Sequence, residues 1–151
     1  MLDRAWIASR IPHQGGMCLL DAVEAWDSET IRCRASSHRA ADNPLRAHDR
    51  LGAACGIEYA AQAMAVHGAL LAPADGLAPK AGFLVSMRGV KMEVLRLDDI
   101  AEDLTVEAHC IMSSENNILY QFRISAGDRL LLDGRAAVVT DAEALMPGAP
   151  T

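Results

Sequence analysis

From residue 56 to residue 71 the chain is apolar or small at almost every position, with Ile57, Met64, Val66 and Leu70 among them and a glutamate near the start. At 3.6 residues per turn this predicts a helix that is hydrophobic all round, and such a helix belongs at the centre of a fold. Glu58 and Gln62 are four residues apart and share one face. On either side the period changes from helical to alternating. Residues 17–26 read as a first strand, and 30–36 set Ile31, Cys33 and Ala35 against Arg32 and Arg34, a half-buried strand. Four more strands are predicted over 82–94, 104–113, 118–126 and 130–140, with Gly89 marking a bulge and Ser114–Asn117 a hairpin turn.

The remaining segments are polar or broken by Pro and Gly. Residues 1–16 form a leading segment whose Pro12 and Gly15–Gly16 exclude a continuing helix. Residues 37–51 are a long polar loop directly before the helix, 72–80 a second loop, and 142–151 a frayed tail. The order is two strands, one buried helix, then a run of antiparallel strands. A long antiparallel sheet wrapped around a single helix is the compact α+β solution, and 151 residues make one domain.

Composition narrows the function classes. Two Phe, two Trp and two Tyr leave Ala, Leu, Val and Met to fill the interior, and the net charge of −6 argues against general nucleic-acid binding. No apolar run is long and uncharged enough for membrane insertion, and residues 1–6 lack the apolar core of a signal peptide. Cys18, Cys33, Cys55 and Cys110 are isolated, which suggests buried free thiols in a reducing cytoplasm. No cofactor or metal is expected. Gly15–Gly16 is too short for a phosphate loop, and His38, Asp42 and His48 lack the helical or strand spacing that fixes metal ligands.

Several segments, in order, resemble the hotdog-fold 3-hydroxyacyl-acyl-carrier-protein dehydratases of fatty acid and polyketide synthesis. Ile11-Pro12-His13 leading to Cys18-Leu19-Leu20-Asp21 resembles that family's Leu-Pro-His segment and first strand. Ile57-Glu58-Tyr59-Ala60-Ala61-Gln62 resembles its helix opening, Phe83 to Met92 its next strand, and Asp133-Gly134-Arg135 its closing strand. The likeness spans a core of about residues 10–140. With the Asn43-Pro44-Leu45 loop, it is greatest to the dehydratase-like proteins of aryl-polyene-type pigment clusters. The chain departs from the pattern in the loop before the helix, where the family's Gly-His-Phe-Pro-Gly is replaced by His38-Arg39-Ala40-Ala41-Asp42-Asn43-Pro44-Leu45-Arg46-Ala47-His48.

The resemblance implies dehydration of a 3-hydroxyacyl thioester, carried by phosphopantetheine on acyl carrier protein, to the trans-2-enoyl thioester. That reaction needs a base at C2 and an acid at the leaving hydroxyl. Burial favours the neutral form of a carboxyl group, which suits Glu58 as the acid. The base is sought among His13, His38 and His48, in that order. His67 lies about 900° round the helix from Glu58, half a turn out of phase, and faces away. Gly56 and Gln62 are the substrate-binding candidates, the amides around residues 52–56 being potential donors to the thioester oxygen. Arg88 and Lys91 are the partner-binding candidates, for an acidic carrier protein, with Arg96 beyond them and Arg46 and Arg50 as a second arm. The resemblance also implies a homodimer or larger assembly, or a heteromer with another hotdog subunit, in which one site draws its His and Glu from different subunits. Two alternatives share the fold: a thioesterase in which Glu58 activates water, and an inactive dehydratase-like partner or acyl-binding subunit.

Overall fold

The computed structural model of the chain describes residues 1–11, 17–71, 83–114 and 117–139. His13, the second loop and the C-terminal tail lie outside the described residues. Seven strands form one antiparallel sheet in the order β1-β2-β3-β5-β6-β7-β4. They are β1 (Leu2–Asp3), β2 (Ala22–Trp26), β3 (Thr30–Ala35), β4 (Phe83–Met92), β5 (Leu104–Ser113), β6 (Asn117–Ala126) and β7 (Arg129–Val139). Two helices complete the fold, α1 (Arg4–Arg10) and α2 (Gly56–Leu70). The α+β architecture expected from the periodicity is the one observed. α2 packs on β3, β5 and β6, where Tyr59, Ala60, Ala63 and Val66 meet the inward residues Cys33, Val106, Phe122 and Ile124 in one apolar cluster.

The helix starts where the sequence places it, for a steric reason at Gly56. A Cβ there would sit 2.8 Å from Leu132 Cδ2 and 3.1 Å from Ile124 Cδ1, so only glycine lets the head of α2 rest on β6 and β7. Two expectations for the N-terminal part are corrected. The leading segment is not irregular throughout. Asp3 accepts a hydrogen bond from the Trp6 amide and caps α1, which buries Ile7 against the core. The first long strand begins at Ala22 rather than at residue 17. The backbone of Met17 and Leu19 is hydrogen-bonded instead to the side chain of Gln62.

At β4, the sheet edge, Gly89 has φ of 59° and the register slips against β7 between Arg88 and Lys91. Arg88 faces Arg135, and three residues later Lys91 faces Asp133 only two residues back along β7. This bulge keeps Arg88 and Lys91 on one face of the sheet despite their odd spacing.

Candidate functional site

The sheet covers only part of α2. Ile57, Glu58, Ala61, Ala65, Gly68 and Ala69 are half-buried, whereas Tyr59, Ala60, Gln62, Ala63, Val66 and His67 are closed off. At 100° per residue the half-buried set falls within about 120° of the helix circumference. It forms a stripe of small apolar residues headed by one carboxylate. Glu58 sits in the first turn of α2, where the positive end of the helix dipole favours its anionic form.

Gln62 is beside this stripe and fully engaged. Its Nε2 donates to the Met17 carbonyl at 2.6 Å, and its Oε1 accepts from the Leu19 amide at 2.9 Å. The side chain therefore clamps the chain four residues after His13 onto α2, one turn beyond Glu58. The amide of Gly56 is also engaged, by the carbonyls of Ala53 and Ala54, as are the amides of Ala53 and Cys55 by Leu95 and Gly52.

Tyr59, the residue after Glu58, anchors the loop that replaces the family's histidine loop. Asn43 Nδ2 donates to the Tyr59 hydroxyl at 3.1 Å, Tyr59 donates to Ser37 Oγ at 2.7 Å, and Ser37 donates to the Leu19 carbonyl at 2.8 Å. Burial raises the Tyr59 pKa, against the opposing pull of Ser37 and Asn43. Nothing in the sequence pattern announced this chain of donors, although Asn-Pro before a helix marks the turn that Asn43 closes. Beyond it the loop tightens into a two-residue turn. Ala47 and Arg50 exchange both backbone hydrogen bonds, and His48 and Asp49 occupy the left-handed region at φ 53° and 63°. His48 is exposed at the tip, and Arg46 folds back to donate to the Ala40 carbonyl.

His38 is placed quite differently. It lies in a 3-10 turn (Ser37–Arg39) with no solvent exposure, 0%. Its Nε2 is 3.1 Å from the Ile100 carbonyl and 3.0 Å from the Glu102 carbonyl. Both are acceptors, so the proton is on Nε2, and Nδ1 is buried without a partner among the described residues. Burial lowers the His38 pKa, Arg39 adds to that, and the two carbonyls and Asp103 pull the other way. The imidazole thus ties the end of β3 to residues 100–102 and is closed to any substrate.

A pH dependence follows from this burial. The unfolded imidazole takes up a proton near 6.5 and the folded one only at lower pH. The stabilisation is complete above that value and is lost as the pH falls below it. Thermal melts should show a drop in Tm between about pH 7.5 and about pH 5 that is smaller in His38→Gln, whose amide can donate to the same carbonyls. An equal drop in both proteins would contradict the assignment.

His67 faces the sheet, away from Glu58 as its phase required. Its Nε2 donates to the Asp27 carbonyl at 2.8 Å and its Nδ1 accepts from the Tyr120 hydroxyl at 2.7 Å. Arg88 and Lys91 are exposed on the outer sheet face, while Arg96 is paired with Asp98, whose carboxyl it holds well below the usual range. No group of three His, Cys, Asp or Glu among the described residues is arranged to hold a metal ion, and no helix among them is long and apolar enough to cross a membrane.

Comparison with known proteins agrees with this geometry. The sequence model of the ApeP-like family, described as ApeP dehydratase, matches residues 5–146. The chain belongs to the ApeP-like dehydratase family. Among solved structures it is similar to a dehydratase heterocomplex, ApeI:P from Xenorhabdus doucetiae, at TM-score 0.78 and 20% identity, over 89% of this chain and 90% of that one. It is also similar to a thioesterase from Haemophilus influenzae (TM-score 0.57, 13% identity, 78% of this chain and 75% of that one). A third similarity is to a thioesterase from Staphylococcus aureus (TM-score 0.59, 12% identity, 78% and 90%). A search of curated proteins gives no match. At these identities the structural likenesses establish the hotdog fold, and the ApeP-like assignment rests on the family model.

Proposed function

We propose that this ApeP-like protein removes water from 3-hydroxyacyl thioesters held on an acyl carrier protein, giving trans-2-enoyl thioesters for polyene assembly. The observation that carries the reading is Glu58 at the head of the uncovered alanine stripe of α2. An acyl chain laid along that stripe meets hydrocarbon on its length and a single carboxyl group at the helix end. His13 is the proposed base. Four residues span at most about 14 Å, and Gln62 fixes Met17 one turn from Glu58, so the His13 segment is tethered within reach of the carboxyl group of its own chain. This differs from the cross-subunit pairing that the resemblance implies. His38, with Nε2 bound to two carbonyls and no exposure, is left a structural task.

In the reaction the neutral His13 imidazole takes the C2 proton. The C–H electron pair becomes the C2–C3 double bond, the C3–O bond breaks, and Glu58 delivers its proton to the departing hydroxyl to form water. No cofactor is required. The stripe and the open edge at β4 favour assembly with a second hotdog subunit, of this chain or of another, that covers α2 and excludes water. Light scattering should find at least a dimer at micromolar concentration; a monodisperse monomer would contradict this.

Incubation with a 3-hydroxyacyl-carrier protein, followed by intact mass spectrometry, tests the reaction. Loss of one water with the thioester retained supports dehydration. Release of free carrier thiol would establish the thioesterase reading, and an unchanged carrier, with or without a second hotdog subunit present, would leave only a binding role.

A further inference from the structure

The outer face of the sheet carries two neighbouring rows of side chains with opposite charge logic. In one row the register aligns Lys91, Asp133, Arg123, Glu107 and Arg32 across β4, β7, β6, β5 and β3, and Glu24 of β2 lies 3.7 Å from Arg32. Signs alternate at every step, so each charge is balanced by its cross-strand neighbours. The next row aligns Arg88, Arg135, Gln121, His109 and Thr30 across the same strands. It holds no carboxylate. Arg88 and Arg135 stand directly opposite each other, both are exposed, and neither makes an ion pair among the described residues. Like charges opposite one another destabilise a strand pair.

On the far side of the arginine row the register aligns Ser86, Ala137, Leu119 and Met112, with Met112 66% exposed. Two unbalanced guanidinium groups beside an apolar strip, on a chain of net charge −6, form a local surface that attracts what the rest of the molecule repels.

We propose that this face docks an acidic protein surface, that of the acyl carrier, with Arg135 and Arg88 as its centre. The proposal rests on the reaction proposed above for the choice of partner, and it shifts the docking surface away from Lys91 and Arg96, whose charges Asp133 and Asp98 already offset. Arg135, which the sequence pattern did not single out, becomes the principal residue. Carboxylates on the carrier engage the guanidinium pair, which needs Arg for its paired donors, and apolar carrier side chains rest on Leu119 and Met112.

The test compares Arg135→Glu with Arg10→Glu, an equal change of net charge on α1. Binding of the carrier protein without an acyl group should weaken about tenfold or more at low salt in Arg135→Glu, and the loss should shrink as salt rises. Arg10→Glu should weaken it less than about twofold. Because Arg135→Glu places opposite charges face to face, its Tm should rise by about 1–4 °C, which separates lost docking from lost folding. Arg135→Gln should show the same direction of binding loss with a smaller amplitude. Equal weakening by Arg10→Glu and Arg135→Glu, no weakening by Arg135→Glu, or no carrier binding by the wild type would overturn the proposal. Selective weakening by Arg135→Glu supports it even where the wild type removes no water from acyl carrier, so the docking surface and the reaction fail or stand separately.

Discussion

Glu58→Gln should lower the rate of water loss from a 3-hydroxyacyl thioester by about 10²-fold or more while leaving the fold intact. The amide matches the carboxyl group in shape and keeps its place on the half-buried stripe, in the first turn of α2. It cannot give up a proton to the leaving hydroxyl. The loss should fall on kcat more than on KM, because the interaction removed is made in the transition state. Turnover at the wild-type rate in this variant would remove Glu58 from the reaction and favour the binding-subunit reading.

Gln62→Leu should cost about 3 kcal/mol of stability, a Tm decrease of roughly 6–12 °C for a domain of this size. The substitution leaves the Leu19 amide and the Met17 carbonyl without the partners they have in the folded chain, and each buried group left unpaired carries a penalty of about 1–3 kcal/mol. Activity should fall beyond the loss of folded protein, because the segment leading back to His13 loses its attachment to α2. A Tm within about 2 °C of wild type would show that these bonds are replaced by others and that the clamp is dispensable.

The parts of the fold with a strict period were legible in the sequence. α2 and the strands β3, β5, β6 and β7 lie within about two residues of the segments predicted for them. α1 was not, because a seven-residue helix draws its stability from the Asp3 cap and the burial of Ile7 rather than from any periodic face. The run at residues 17–20 has strand composition, yet a side chain from α2 takes the place of the neighbouring strand. Composition alone cannot distinguish those two partners.

The candidate site was legible at Glu58, an ionisable group in an otherwise apolar helix. It was less so at the histidines. His38 stands in a polar stretch and reads as an available base, but the 3-10 turn rotates it beneath residues 100–102. Arg88 was visible as a charge beside a glycine bulge. That it faces Arg135 depends on β4 pairing with β7 rather than with its chain neighbour β5, which is a long-range fact no local pattern contains.

The central claim is that Glu58 and His13 form the dehydration site and that His38 holds the fold. The most direct measurement is the rate of water loss per folded molecule for the wild type, Glu58→Gln, His13→Ala and His38→Gln on one 3-hydroxyacyl-pantetheine substrate. The account predicts that Glu58→Gln and His13→Ala each lose about 10²-fold or more, while His38→Gln stays within about threefold of wild type once corrected for its stability. Undiminished turnover in His13→Ala together with a collapse in folded His38→Gln would contradict it.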